Sequence, residues 1–374
     1  MRILVCPQEF KGTLTATRAA EVIAAAARTA LPDAEVVELP MADGGPGTAD
    51  IVGRARHAAL QTTRVVDAYG TPIEALYALL DDGTTAVIDS ASAVSLAATA
   101  VDRRDPLRST SRGVGMLIQA AVAAGATRII LGVGGTASSD GGAGLARALG
   151  IGLLDATGQG LPDAAAHLVK IASVEDHVSE ALRAVQVRVA VDVRNPLTGP
   201  EGAVAVYGAQ KGLLDWQATA LDAAVAAWAR RVRADLGREI ETVEGAGAGG
   251  GIPAGVLAAL PHATIESGAA LVAEAIGLRK EIAAADLVIT GEGSLDGQTA
   301  FGKAVGHVAA LATGAGTTCV AVAGVVEATP PGIHDAEPLA LTRDEVDASL
   351  AAPERFLAEA TTRLLHRWSA SIRA

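Results

Sequence analysis

The chain opens with an apolar run at residues 3–6, a polar stretch at 7–13 and an alanine-rich segment at 14–31 whose apolar positions recur with helical spacing. Thr13 or Thr15 supplies an N-cap for that helix. A second apolar run follows at 35–39, so the order strand, loop, helix, strand predicts a βαβ opening. From about Thr62 the pattern shortens to β-like runs at 63–66, 73–80 and 85–88, joined by turns such as Asp81-Asp82-Gly83, which predicts a meander. A helix at 113–124, strands at 128–131 and 187–191, a long helix at 213–236 and a short one at 253–260 come next. Regular α/β alternation returns with a helix at 271–284, a strand at 287–290, a helix at 304–312 and a strand at 318–323; a last helix spans 353–369.

This pattern predicts an α/β fold of two domains. Both chain ends, residues 1–62 plus 281–374, form a Rossmann-like parallel-sheet domain, and residues 63–280 form an inserted second α/β domain. The length of 374 residues is enough for two cores. Half the residues are apolar but only 2% are aromatic, so those cores must be built from Ala, Val, Leu and Ile.

The formal net charge of −12 disfavours nucleic-acid and anionic-membrane partners, because no basic surplus exists to release counterions. An anionic ligand would then be held by a metal, backbone amides and a few local cations. Cys6 and Cys319 are the only cysteines, and a disulfide framework is not expected. The first residues read as a strand start rather than a signal peptide, and no apolar run reaches the roughly 18 residues of a membrane span. The expected compartment is the cytoplasm. The scattered histidines lack metal-ligand spacing, and no Gly-x-Ser-x-Gly elbow is present, so neither a zinc site nor a hydrolase triad has an anchor.

Glycine-rich loops with acids follow several of the predicted strands. The fullest runs from Thr290 to Lys303 and carries Gly291, Glu292, Gly293, Asp296, Thr299 and Lys303. Glycines let backbone amides approach an anion, two carboxylates suit a divalent cation, and a lysine neutralises phosphate. Gly297-x-x-x-x-Gly302-Lys303 matches most of a P-loop, but Ala304 stands where Ser or Thr would meet Mg²⁺. Lys11 lies in Phe10-Lys11-Gly12-Thr13 before a helix, Asp43 in a glycine turn, and Asp192 with Arg194 and Asn195 beyond a strand. Gln210-Lys211-Gly212 adds a cation before a helix, and 245–251 is a glycine cluster that reads as a hinge, a ligand loop or tight packing. Gly132-x-Gly134-x-x-Ala137 also fits a dinucleotide fingerprint, with Asp155 near the place of a ribose-binding acid. That spacing supports a rival reading, an NAD-dependent hydroxy-acid oxidoreductase, although Ser138-Ser139-Asp140-Gly141-Gly142 is no apolar crossover helix. A second rival is a non-catalytic metabolite-binding protein.

Eight segments in order resemble the class I glycerate kinases of bacteria. They are Phe10-Lys11-Gly12-Thr13; Pro40-Met41-Ala42-Asp43-Gly44-Gly45; Thr110-Ser111-Arg112-Gly113; and Gly134-Gly135-Thr136-Ala137 with Asp140-Gly141-Gly142-Ala143-Gly144. The others are Asp192-x-x-Asn195-Pro196-Leu197-x-Gly199-Pro200; Gln210-Lys211-Gly212; Gly245-Ala246-Gly247-Ala248-Gly249-Gly250; and Ile289-Thr290-Gly291-Glu292-Gly293-x-x-Asp296-x-Gln298-Thr299. The resemblance implies ATP-dependent, Mg²⁺-assisted phosphorylation of D-glycerate to 2-phosphoglycerate by a monomer or homodimer, in a cleft between two domains.

On that basis Asp192 is the expected base, with Asp43 second and Lys11 beside them in the catalytic set. Arg194 or Arg112 would hold the substrate carboxylate, with Asn195, Ser138 and Asp140 also on the substrate side. Lys211, Gly291, Gly293, Thr299 and Lys303 would bind ATP, and Glu292, Asp296 or Asp43 the metal. The chain departs from the family pattern at Gln8 and Glu9, where Asp-Ser is usual, and at Pro46, where an acid is common.

Overall fold

The structure is a computed structural model that describes residues 1–10, 12–296 and 304–371. Its strands are β1 (Arg2–Val5), β2 (Glu35–Glu38), β3 (Ala59–Val66), β4 (Pro72–Leu79), β5 (Thr85–Asp89), β6 (Arg128–Gly132) and β7 (Ile151–Leu154). They continue with β8 (Ser173–Asp176), β9 (Gln186–Ala190), β10 (Thr264–Glu266), β11 (Leu287–Leu295), β12 (Thr318–Val326) and β13 (Asp335–Pro338). The chain divides into two compact units, Met1–Asp43 with Ala269–Ala374, and Gly44–Gly268.

The unit made from both chain ends holds a five-stranded sheet in the order β13-β12-β11-β1-β2, every pair parallel. Continuous apolar runs make its central strands: Ile3, Leu4 and Val5, Leu287, Val288 and Ile289, and Val320, Ala321 and Val322 have no exposed surface. That is the signature of a sheet covered on both faces. Helix Ala16–Ala30 packs on helix Pro353–Ser371 and places Ile23, Leu357 and Leu364 in the core. Of the two candidate caps, Thr15 does the capping, its hydroxyl accepting from Arg18 N at 3.2 Å; Thr13 instead donates to Phe10 O at 2.8 Å. The sheet order reverses between β1 and β11, because β1 leads to β2 on one side and β11 to β12 on the other. In open α/β sheets ligands bind at the carboxyl ends of the strands at such a switch point.

The second unit holds a six-stranded mixed sheet in the order β10-β9-β6-β5-β4-β3. The strands β3, β4 and β5 form the antiparallel meander, and β5, β6, β9 and β10 run parallel. A separate antiparallel pair, β7 and β8, stands beside it in the unit. Residue 62 falls inside β3, and the unit begins at Gly44. The physical reason is helix Thr48–Ala55, which packs on β4 and β5 and brings the preceding turn with it.

Two elements differ from the sequence pattern. The alanine-rich stretch expected as one helix is two, Gly268–Ala275 and Leu278–Ala283, broken at Gly277 with φ 69. The strand expected to stop at Thr290 continues as β11 to Leu295, because Glu292 pairs with Ala323 and Leu295 with Val326 on β12. Glu292 is therefore a strand residue, not a loop acid. Cys6 and Cys319 are free, buried thiols. No helix of the described residues is long and apolar enough to cross a membrane.

Candidate active site

In the first unit, polar groups collect at the carboxyl ends of β1, β2 and β11. The chain beyond β1 stays in register with β11, Cys6 N donating to Ile289 O and Gln8 N to Gly291 O, both at 2.8 Å. The chain beyond β2 is held likewise, Met41 N donating to Pro7 O at 2.8 Å. These ladders fix the position of Asp43, whose carboxylate accepts from Gln8 Nε2 at 2.6 Å. Gln8 thus ties Asp43 to the edge that carries Gly291, Glu292 and Gly293. Glu292 is buried and Asp296 half-buried. A Cβ on Gly291 would lie 2.2 Å from Val322 O and 3.3 Å from the Phe10 ring, so this glycine allows the close approach of β11 to β12. Lys11, Thr299 and Lys303 lie outside the described residues.

In the second unit, the parallel strands β5, β6 and β9 each carry an acid at or beyond the carboxyl end: Asp89, Asp140 and Asp192. Asp192, just beyond β9, is exposed; its Oδ1 accepts from Gly268 N at 2.8 Å and from Ser267 Oγ at 3.2 Å. Arg194 is exposed and pairs with Glu244 at 3.2 Å. Asn195 is turned to structural work: its Nδ2 donates to Glu201 O and its Oδ1 accepts from the Tyr207 hydroxyl. Arg112 begins helix Arg112–Ala123 and pairs with Asp163 at 2.6 Å.

Around the loop after β6, two of the expected site residues, Asp140 and Lys211, lie in the interior of the unit. Asp140 is buried and accepts from Ser111 N at 2.8 Å, Ser111 Oγ at 3.0 Å, Gly144 N at 2.9 Å and Gly142 N at 3.2 Å. It joins the start of helix Arg112–Ala123 to the start of helix Ala143–Ala148, so its acceptors serve the fold rather than a substrate. Burial pushes its carboxyl up, against the amides of Ser111 and Gly144. Lys211, expected at a nucleotide phosphate, is 2% exposed and donates to Ser138 O at 2.6 Å. Burial pushes its ammonium down to about 7, against the attraction of Asp140. Ser138 is also buried, its hydroxyl 3.5 Å from Gly249 O.

The glycine cluster at 245–251 is a tight-packing device. A Cβ on Gly250 would lie 2.0 Å from Ser138 O, and one on Gly251 2.4 Å from Gly141 Cα. The dinucleotide spacing also resolves differently. Beyond β6 the chain forms a bridge at Thr136 and reaches β7, which pairs antiparallel with β8 rather than returning as a parallel strand. Asp155 caps a local turn through Thr157 and Gln159. A Rossmann crossover is absent there, which removes the geometric ground for the oxidoreductase reading.

A family model for the glycerate kinase family matches residues 3–369. The chain belongs to the glycerate kinase family. A protein named glycerate kinase from Bacillus subtilis (strain 168) is 40% identical over 327 residues, covering 87% of this chain and 85% of the relative. A protein named glycerate 2-kinase from Escherichia coli (strain K12) is 38% identical over 304 residues, covering 81% of this chain and 80% of its own. The crystal structure of a protein from Salmonella typhimurium LT2, provisionally described as glycerate kinase 2, superposes with a TM-score of 0.88 at 34% identity over 100% of both chains.

Within this glycerate kinase family member, sequence reasoning passed over Asp89. It ends β5 and accepts from Gly47 N at 2.9 Å and Ala49 N at 3.1 Å, capping helix Thr48–Ala55, whose own N-cap residue, Gly47, offers no side chain. Burial pushes the Asp89 carboxyl up to about 6, against those two amides. Its signal was a lone acid at the end of an apolar strand, without a glycine loop to draw attention. In the sequence Gln8 stands out only as a departure from the family pattern; its contact with Asp43 exists only in the fold.

Proposed function

We propose that the protein transfers the γ-phosphoryl group of ATP to the 2-hydroxyl of D-glycerate, giving 2-phosphoglycerate and ADP. The observation that carries the proposal is the match to the glycerate kinase family across residues 3–369. In the reaction the substrate oxygen bonds to the γ-phosphorus, and the bond from that phosphorus to the bridging oxygen breaks. ADP leaves with the electron pair, and the hydroxyl proton passes to a carboxylate. Such transfers need alignment and charge neutralisation more than covalent chemistry.

Asp192 is the proposed base, its carboxylate oriented by Gly268 N and Ser267 Oγ and exposed to a ligand. Arg194 is the proposed fork for the glycerate carboxylate, because its exposed pair with Glu244 costs little to exchange. Arg112 is the weaker choice, being already paired with the less exposed Asp163. On the nucleotide side, Gly291 and Gly293 lie on the strand edge, and Lys11, Thr299 and Lys303 keep their proposed places at the phosphates.

Mg²⁺ fits the donor set. No group of three or more His, Cys, Asp or Glu among the described residues is arranged to hold a metal. Glu292 and Asp296 lie at the carboxyl end of β11 and Asp43 beyond β2, and Mg²⁺ needs only about one or two carboxylates, with phosphate oxygens and water completing its shell. When bound it would draw charge off the phosphate oxygens. A cytoplasmic place, as a monomer or homodimer acting on small molecules, accords with the reaction.

The test is ³¹P NMR of the product formed from D-glycerate, ATP and Mg²⁺. A 2-phosphoglycerate resonance is expected. A 3-phosphoglycerate resonance would contradict the assigned hydroxyl while leaving the kinase.

A further inference from the structure

At the carboxyl ends of β11 and β12, an apolar cavity of about 100 Å³ opens within the first unit. Its floor is flat for a backbone reason. A Cβ on Gly324 would lie 2.4 Å from Gly293 O, so the two strands are pressed together with no side chain standing over them. Phe10 and Thr13 lie on one side, and Val325 and Leu339 face Val346, Ser349 and Leu350 of helix Asp344–Ala351, with Pro353 beyond it. Three of these apolar side chains are exposed to water, Val325 by 48%, Val346 by 40% and Leu350 by 60%. No lining residue is charged. The cavity adjoins the sheet's switch point between β1 and β11, and Gly293 follows Glu292 directly in the chain.

A flat glycine floor between apolar walls suits a planar ring and offers nothing to a phosphate. We propose that this slot takes the purine ring of the nucleotide, with the phosphates lying toward Glu292 and Asp43. The inference rests on the ATP-dependent kinase reading and adds the place of the base to it. Exposed apolar surface at the slot is then the surface that the base covers.

The test is calorimetric binding of ADP and of tripolyphosphate, which lacks the base, to the full chain and to Val346→Asn and Leu350→Gln. Both positions are exposed, and thermal melting checks that the variants fold. The expected result is an ADP Kd raised about tenfold in each variant, with tripolyphosphate binding unchanged. An ADP Kd within about twofold of wild type would overturn the slot while leaving the kinase reading standing. An equal loss for both ligands would also overturn it, because the effect would not depend on the base. Normal ADP binding with a changed sedimentation coefficient would overturn it too, and make the patch a protein contact. A wild-type chain that binds neither ligand and shows no ATP turnover would fail the kinase reading itself.

Discussion

The loop after β6 and the loop after β9 leave neighbouring parallel strands of one sheet, and each carries an aspartate, Asp140 beside glycines and Asp192 directly beyond its strand. Their fates are opposite. Asp140 is sealed in with donors from two helix starts and a buried lysine nearby. Asp192 is exposed, and its Oδ1 accepts from Gly268 N and Ser267 Oγ. The difference teaches that an acid in a glycine loop is a candidate for chemistry only when its hydrogen bonds leave it facing a ligand. Asp140 acts as an internal cap whose role is to fix the loop.

Four changes sharpen that contrast. Asp192→Asn should lower kcat for ADP release by about 10²–10⁴ at an unchanged melting temperature, the usual loss for a removed general base. Asp140→Ala should destabilise the fold by about 1–3 kcal/mol or more in urea titrations, since it leaves the buried amides of Ser111, Gly142 and Gly144 and the Ser111 hydroxyl without their acceptor. A variant as stable as wild type would contradict the capping role.

Lys211 gives a pH signature. Its folded pKa, about 7, lies below the 10.5 of an ordinary lysine, so the unfolded chain binds more protons between those values. Stability from this group should therefore rise as pH increases from about 7 towards 10, at roughly 1.4 kcal/mol per unit as an upper bound. Chemical denaturation at several pH values should show that slope in wild type and its loss in Lys211→Met. The smallest effect is expected from Asp89→Ala, about 1 kcal/mol for a lost helix cap, read from the melting temperature.

The parts legible in the sequence are those where local pattern and tertiary environment agree. The run Ile3-Leu4-Val5 reads as a buried parallel strand because both sheet faces are covered. The long helix appears as Asp215–Leu236 because its apolar spacing matches the burial of Leu221, Val225, Trp228 and Val232. By contrast, β13 is Asp335-Ala336-Glu337-Pro338, with no apolar run. It holds because Arg363 and Arg367, from the last helix, pair with the buried Glu337. The break at Gly277 was masked by alanines on either side, which favour helix whichever way the chain turns.

The site was legible as a set of loops but not as a set of partners. Lys211 reads in the sequence as a cation for nucleotide phosphates, and only the fold brings it to Ser138 O, 73 residues away. Asp43 was visible, whereas its contact with Gln8, 35 residues away, depends on the register of β1 and β2. The glycines at 245–251 leave a hinge, a ligand loop and tight packing all open until Ser138 and Gly141 are seen packed against them.

The most direct test of the functional reading is the initial rate of ADP release from ATP and Mg²⁺ by the wild-type chain, with and without D-glycerate. Release that depends on D-glycerate and saturates with it is predicted. ADP release indifferent to D-glycerate, or none at all, would contradict the reading.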